Sequence, residues 1–179
     1  MWQLQNPDRV KLIIGILAAN EDCMLAAVDA IRDRFGDIDL ESETFPFDKT
    51  EYYKNQAGEN ILRKFVTLKR TIAPGRLTKI KLKTNRMEKE LAEKLATKYP
   101  RPVNFDPGYI EPSKLVLAST KNFSHRIYIG KKIWAEVTLI YDREWKTFDY
   151  TFPDFRQPTY WPFFDKVRLK LREQLKSKT

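Results

Sequence analysis

The chain has 179 residues, a net charge of +9, 42% hydrophobic and 13% aromatic side chains, which is enough apolar material for one continuous core and too much for a wholly disordered chain. One cysteine, Cys23, excludes an internal disulfide, and the longest apolar run, Leu12 to Ala19, covers eight residues where a membrane-spanning helix needs about twenty. The charge is uneven: net −6 over residues 1–62, +10 over 63–101 and +5 over 102–179, so the middle third should attract phosphate or an acidic surface.

The first nine residues have neither the basic start nor the apolar run of a secretory signal, so a cytoplasmic location with no membrane contact is expected. Val10 to Ala19 is short and rich in Val, Ile and Leu, as a strand buried on both faces should be. Asn20 is placed to cap a helix over Glu21 to Phe35. Met24, Val28, Ile31 and Phe35 share one face of it, and Gly36 stands at its end. A second strand falls within Ile38 to Phe45 and a third over Ile61 to Thr71, with the aromatic loop Phe45 to Tyr53 between them. After Pro74-Gly75, the residues Leu77, Ile80, Thr84, Met87, Leu91 and Leu95 keep helical spacing up to Pro100. Lys79, Lys83, Arg86, Lys89 and Lys94 fall largely elsewhere on that wheel, as a basic face suited to nucleic acid.

The rhythm of the last third is that of a meander, with strands over Lys114 to Ser119, His125 to Ile129, Ile133 to Tyr141 and Thr147 to Thr151. A final helix from about Thr159 carries Phe164, Val167, Leu171 and Leu175 inward and ends in the basic stretch Lys170 to Lys178. No linker divides the chain, so residues 1–179 read as a single domain. The expected fold is α+β: a mostly antiparallel mixed sheet, built as a ferredoxin-like βαββαβ unit extended by a C-terminal meander and a helix. Thr44-Phe45-Pro46-Phe47-Asp48 is echoed by Thr151-Phe152-Pro153-Asp154-Phe155, too short a likeness to signify duplication.

Several activities are excluded. The six glycines form neither a phosphate loop nor a dinucleotide fingerprint, and one His with one Cys cannot make the usual structural zinc site, so no metal site and no cofactor are assigned. Cys23, on or beside the core face of the first helix, reads as packing. The polar phrases that remain cluster in the second half: Asn104-Phe105-Asp106-Pro107-Gly108-Tyr109, Ser119-Thr120-Lys121-Asn122-Phe123-Ser124-His125-Arg126, Glu136 with Thr138, and Phe152-Pro153-Asp154-Phe155.

With Lys114 to Lys121, Ser124 to Ile129, Glu136 to Leu139, Pro46-Phe47-Asp48 and Thr84-Asn85, these phrases resemble a bacterial family of domains of unknown function, number 4416, over essentially the whole chain. The resemblance implies a bacterial-type cytosolic domain and brings no assigned catalytic residues. Some members carry a GTP-binding label, which the missing phosphate loop does not support here.

The residues themselves allow two functions. In the first, the chain is a binding module for RNA or another phosphate-bearing ligand, using the basic block from Arg63 to Arg101 with Tyr52, Tyr53 and Tyr128 for stacking. In the second, it is a small-molecule enzyme. His125, Asp106, Glu136 and Asp154 are then the acid–base candidates, and Ser119, Thr120, Lys121, Arg126 and Tyr109 the ligand contacts. Binding ranks first because the charge asymmetry is counted and the pocket is inferred; a protein partner is left open. Alternation along a strand opening at His125 sends His125 and Arg126 to opposite faces, so the two need not act together. His125 reads as a hydrogen-bonded structural residue or as a general acid or base. Arg126 reads as an ion pair with Glu136 or Asp154, or as a bidentate anion contact. Asp106-Pro107-Gly108 has the chemistry of a tight turn. The loop Ser119 to Ser124 is expected near Asp106 or Asp154.

Overall fold

The structure is a computed structural model that describes residues 2–48 and 54–177; Tyr52 and Tyr53 lie outside the described residues. Strand β1 (Lys11–Ala18) is buried at every position, which explains its continuous apolar run. Its one charged residue, Lys11, is also buried and donates to Asp39 at 2.6 Å and to Gln174 at 3.0 Å. Helix α1 (Glu21–Phe35) starts where Asn20 accepts from the Cys23 N–H at 2.9 Å and ends at Gly36, whose φ of 94° suits glycine. Strands β2 (Ile38–Glu41), β3 (Phe45–Pro46) and β4 (Leu62–Leu68), the short helix α2 (Lys54–Ala57), helix α3 (Leu77–Leu95) and strand β5 (Val103–Glu111) complete the first half.

These strands lie in the order β2-β4-β1-β5 with antiparallel neighbours. Hence β2 runs parallel to β1, and β5 to β4, each pair separated by one strand: the βαββαβ arrangement expected from the sequence. The sheet continues through β6 (Lys114–Ser119) and β8 (Ile133–Asp142) to β7 (Ile127–Gly130). With β3 beside β4 and β9 (Glu144–Lys146) beside β8, it counts nine strands among the described residues, an α+β architecture. Helices α1 and α3 cover one face, over Leu12, Ile14, Ile16 and Phe105. Helix α4 (Trp161–Lys176) covers the other, bringing Phe163, Phe164 and Val167 onto Ile13, Phe65, Ile110 and Leu139.

Three expectations are corrected. Asp106-Pro107-Gly108 is not a turn but the middle of β5, opposite Gly15, Ile14 and Ile13 of β1. Proline is tolerated there because β5 pairs with β6 only from Gly108 onward, so the two strands splay at Pro107. The groups of Phe105 that face the splay are met by α3: Glu88 Oε1 accepts its N–H at 2.9 Å and Lys81 Nζ donates to its carbonyl at 2.7 Å. Second, β7 begins at Ile127. Residues 123–126 form a turn closed by the Arg126 N–H on the Phe123 carbonyl at 2.9 Å, so strand alternation does not apply to His125 and Arg126. Third, Thr147 to Thr151 is no strand. Thr151 closes it into a turn, its hydroxyl accepting from the Phe148 N–H at 2.9 Å and its N–H donating to the Phe148 carbonyl at 3.0 Å.

Candidate functional site

On the α4 face of the sheet a guanidinium lies flat over the strands. Arg63 of β4 crosses Gly15, where an added Cβ would stand 2.9 Å from its Nη1, and reaches Asp106 at 2.9 Å and Asp154 at 2.7 Å. Phe47, Phe65 and Phe155 surround it with centroids 5.1, 5.4 and 5.6 Å away. The two echoed segments of the sequence therefore meet on one cation, each supplying a ring. Burial opposes the charge of Arg63, but Asp154 and Asp106 more than offset it and raise its pKa. Burial also pushes Asp154 up against the pull of Arg63. For Asp106 burial is outweighed by Arg63 and Lys81, which hold it below the usual carboxylate range.

The network continues through the splay. Asn104 donates to Asp106 at 2.9 Å, and Arg101 donates to Asn104 and, at 2.6 Å, to Glu88. Lys81, Glu88, Asn104, Arg63 and Asp154 are all buried, and burial lowers the pKa of Lys81. Sequence reasoning did not single out Arg63, Lys81, Glu88 or Arg101. Signals existed: Gly15 inside a strand marks a close approach, and Lys81 and Glu88 share the stripe of Leu77, Thr84 and Leu91 on α3.

A second cluster lies two strands away on the same face. Glu136, buried on β8, accepts from Arg126 Nε at 2.7 Å and faces His125 Nε2 at 3.2 Å, while Thr138 donates to its other oxygen at 3.2 Å. Arg126 also donates to the Ser119 hydroxyl at 2.8 Å and the Lys121 carbonyl at 2.9 Å, which fixes the loop. His125 is sandwiched between Phe123 at 5.9 Å and Tyr150 at 4.2 Å, and Phe148 extends the column at 4.9 Å. Burial and the charge of Glu136 raise the pKa of Tyr150.

Of the candidates, Asp106 joins Asp154 through Arg63, and His125, Arg126, Ser119 and the Lys121 backbone join Glu136. Asp106 and Glu136 are held apart by two strand spacings, about 10 Å. The loop at Ser119 approaches the Asp154 segment where Arg126 stands over the Phe152 ring at 5.7 Å. Thr120 is exposed, and Tyr109 packs on the opposite face, beside α3, with its pKa raised by burial. No group of three or more His, Cys, Asp or Glu able to hold a metal occurs among the described residues.

The basic block opens a different site, where the ends of helices from both faces of the sheet come together. A cleft of about 670 Å³ lies between the end of α1, the β4–α3 connection, the first two turns of α3 and the end of α4. Seven of its fifteen lining residues are Lys or Arg and none is Asp or Glu. Lys79 and Lys83 line it; Arg86, Lys89 and Lys94 lie further along α3 and are exposed. Lys83 is fixed, donating to the Arg34 carbonyl at 2.6 Å and lying 4.7 Å from the Phe35 centroid, and Arg34 pairs with Glu90 at 2.7 Å. The exposed side chains of Lys69, Arg70, Arg76 and Lys79 have no ion-pair partner among the described residues. The first turn of α3 carries no acidic residue and no side-chain cap, so the helix N-terminus adds to the positive potential.

No helix among the described residues is long and apolar enough to cross a membrane. Neither a curated protein nor a solved structure matches the chain. Residues 8–170, which include both side-chain clusters and all of α3, match the family described as Domain of unknown function (DUF4416), and the chain belongs to that family.

Proposed function

We propose that the chain is a binding module for RNA or another phosphate-bearing ligand and that the cleft beside α3 is its contact surface. One observation carries the reading: seven cations line a concave surface with no carboxylate among its described residues, and of the seven only Arg34 makes an ion pair among the described residues. Like charges gathered without counter-charges repel one another, and an anionic ligand relieves that repulsion. The volume is in the range of ligand sites, roughly 300–1,000 Å³. Sequence counting located the charge, and folding adds Arg9, Arg34, Lys69 and Arg70 to the helix face.

The test is a salt titration of binding to single-stranded RNA and to inorganic polyphosphate. Seven phosphate contacts on a single strand give a slope of log affinity against log salt of about −5. Charge reversal at Arg70, Arg76 and Lys79, chosen because Lys83 also anchors α1, flattens the RNA slope by about 2. Absence of binding at low salt, or binding indifferent to the reversal, defeats the assignment.

The enzyme reading is favoured by one observation, the opposite pKa displacements of Asp106 and Asp154, a division of labour that acid–base chemistry uses. Against it, both carboxylates are engaged by Arg63, and Asp106 is held two strands from Glu136, the partner of His125. A ligand whose thermal shift disappears in Asp106→Asn and persists in the cleft variant would move the site there.

A further inference from the structure

We infer that the cleft is one end of a longer track for single-stranded nucleic acid, whose bases stack on exposed rings beyond the β7–β8 hairpin. This rests on the cleft reading and names its ligand class. The elements that carry the cleft and the rings are in direct contact: Thr78, in the first turn of α3, donates to the Ile129 carbonyl of β7 at 2.9 Å. Arg76 and Lys79, either side of that contact in sequence, line the cleft. Across it the hairpin turns through Gly130, Lys131 and Lys132 with φ of 99°, 53° and 62°. Two successive lysines are thus held in a conformation that glycine or asparagine ordinarily fills, and both are exposed. The turn is closed by the Lys132 N–H on the Tyr128 hydroxyl at 3.3 Å, which leads the cationic surface directly to a ring.

The rings past the hairpin are exposed yet braced. Tyr128, Phe123 and Phe152 are 59%, 55% and 45% accessible, which leaves room for a base on each. Tyr128 rests edgewise on Trp134 at 5.4 Å, and the Arg126 guanidinium lies 4.9 Å from the Phe123 centroid and 5.7 Å from that of Phe152. Trp134 pairs with Ser119 across the sheet, and Ser119 holds Arg126, so all three rings share one support. Rings fixed in this way offer stacking area without being ordered first.

Charge decides between nucleic acid and a protein partner. The exposed cations of residues 119–135 are Lys121, Lys131 and Lys132, with no Asp or Glu in that span, and Arg126 is neutralised by Glu136, so flat apolar surface alternates with positive charge, as a strand of phosphates and bases requires. The cleft offers no free ring for stacking, since Phe35, the one ring among its described lining residues, is covered by the Lys83 ammonium at 4.7 Å. Phosphates bind at the cleft, and the following nucleotides pass the lysine turn and stack on Tyr128 and Phe123.

The experiment compares two probes on the full chain, a labelled twelve-nucleotide oligouridine and inorganic polyphosphate, which offers phosphates without bases. Phe123→Ala with Tyr128→Ala should weaken oligouridine by at least about twentyfold. Polyphosphate affinity should not change, and Tyr128→Phe should restore much of the lost binding. Equal losses for both probes, or no loss for oligouridine while polyphosphate binds, would overturn the inference and leave the cleft reading standing. If the wild type binds neither probe, the cleft reading fails and this one with it. Capture of polyglutamate that the double alanine variant abolishes would make the rings a protein-docking face and also overturn it.

Discussion

Arg63 and Lys79 carry the same charge on the same frame and are used in opposite ways. Arg63 is buried between two carboxylates and three rings, with Gly15 beneath it. Lys79 projects from α3 into a cleft that offers no carboxylate among the described residues. A buried cation with every neighbour arranged around it belongs to the architecture, because its desolvation is tolerable only in that arrangement. An exposed cation among other cations contributes nothing to the fold and is available to a ligand. Charge count alone does not separate the two, since Arg63 opens the basic block that sequence reading treated as one surface.

The largest effect expected from this contrast is at Arg63. Arg63→Met keeps most of the volume and leaves Asp106 and Asp154 buried without their partner, which should cost about 3–5 kcal/mol in urea denaturation. Adding Asp106→Asn and Asp154→Asn removes the orphaned charge and should recover a large part of that loss. If the single variant is as stable as the wild type, the guanidinium is not the keystone of this face, and the division between architectural and binding cations fails.

An intermediate effect is expected at Tyr160, which closes the same cluster and packs on Phe65 at 4.9 Å. Burial pushes its phenol from 10 up to about 12. The unfolded chain thus loses this proton first as pH rises. The contribution of Tyr160 is complete below pH 10 and is lost as pH climbs through about 12, a total of roughly 2–3 kcal/mol. Other groups titrate in the same range, so the measurement is the difference between wild type and Tyr160→Phe in stability against pH. A constant difference from pH 9 to pH 12 would contradict the assigned displacement.

How much of this was legible in the sequence follows the range of the interactions. Helix α1 was readable end to end because Asn20, the apolar stripe and Gly36 are local signals. The βαββαβ succession was readable, but its fourth strand is β5 (Val103–Glu111) and not Lys114 to Ser119, the first strand the sequence shows after the second helix. The splay at Pro107 was not readable: Asp106-Pro107-Gly108 has turn chemistry locally, and only the loss of β6 pairing together with Lys81 and Glu88 from α3 makes it a strand. Among candidate site residues, Glu136, His125 and Arg126 were named individually. The Arg126–Glu136 ion pair was one of the readings, but that His125 meets the same carboxylate was not, because a turn at Phe123 cancels strand alternation. The cleft was half legible, since Lys79 and Lys83 lie on one helix face while Arg9, Arg34 and Arg70 arrive from distant segments.

The smallest expected effect tests the other side of the contrast. Neutralising Arg70, Arg76 and Lys79 to Gln removes three cations that form no ion pair among the described residues. Surface charges in such positions change stability by about 0.5 kcal/mol or less. Here the sign should favour the variant slightly at low salt, because repulsion among the cations of the cleft is relieved. Added salt should erase that advantage, since exposed charges are screened over a Debye length of about 10 Å at 0.1 M. Urea midpoints of wild type and variant at two salt concentrations measure both predictions. A loss of several kcal/mol would mean that these side chains support the fold as Arg63 does, and the cleft could no longer be read as a surface held open for an anion.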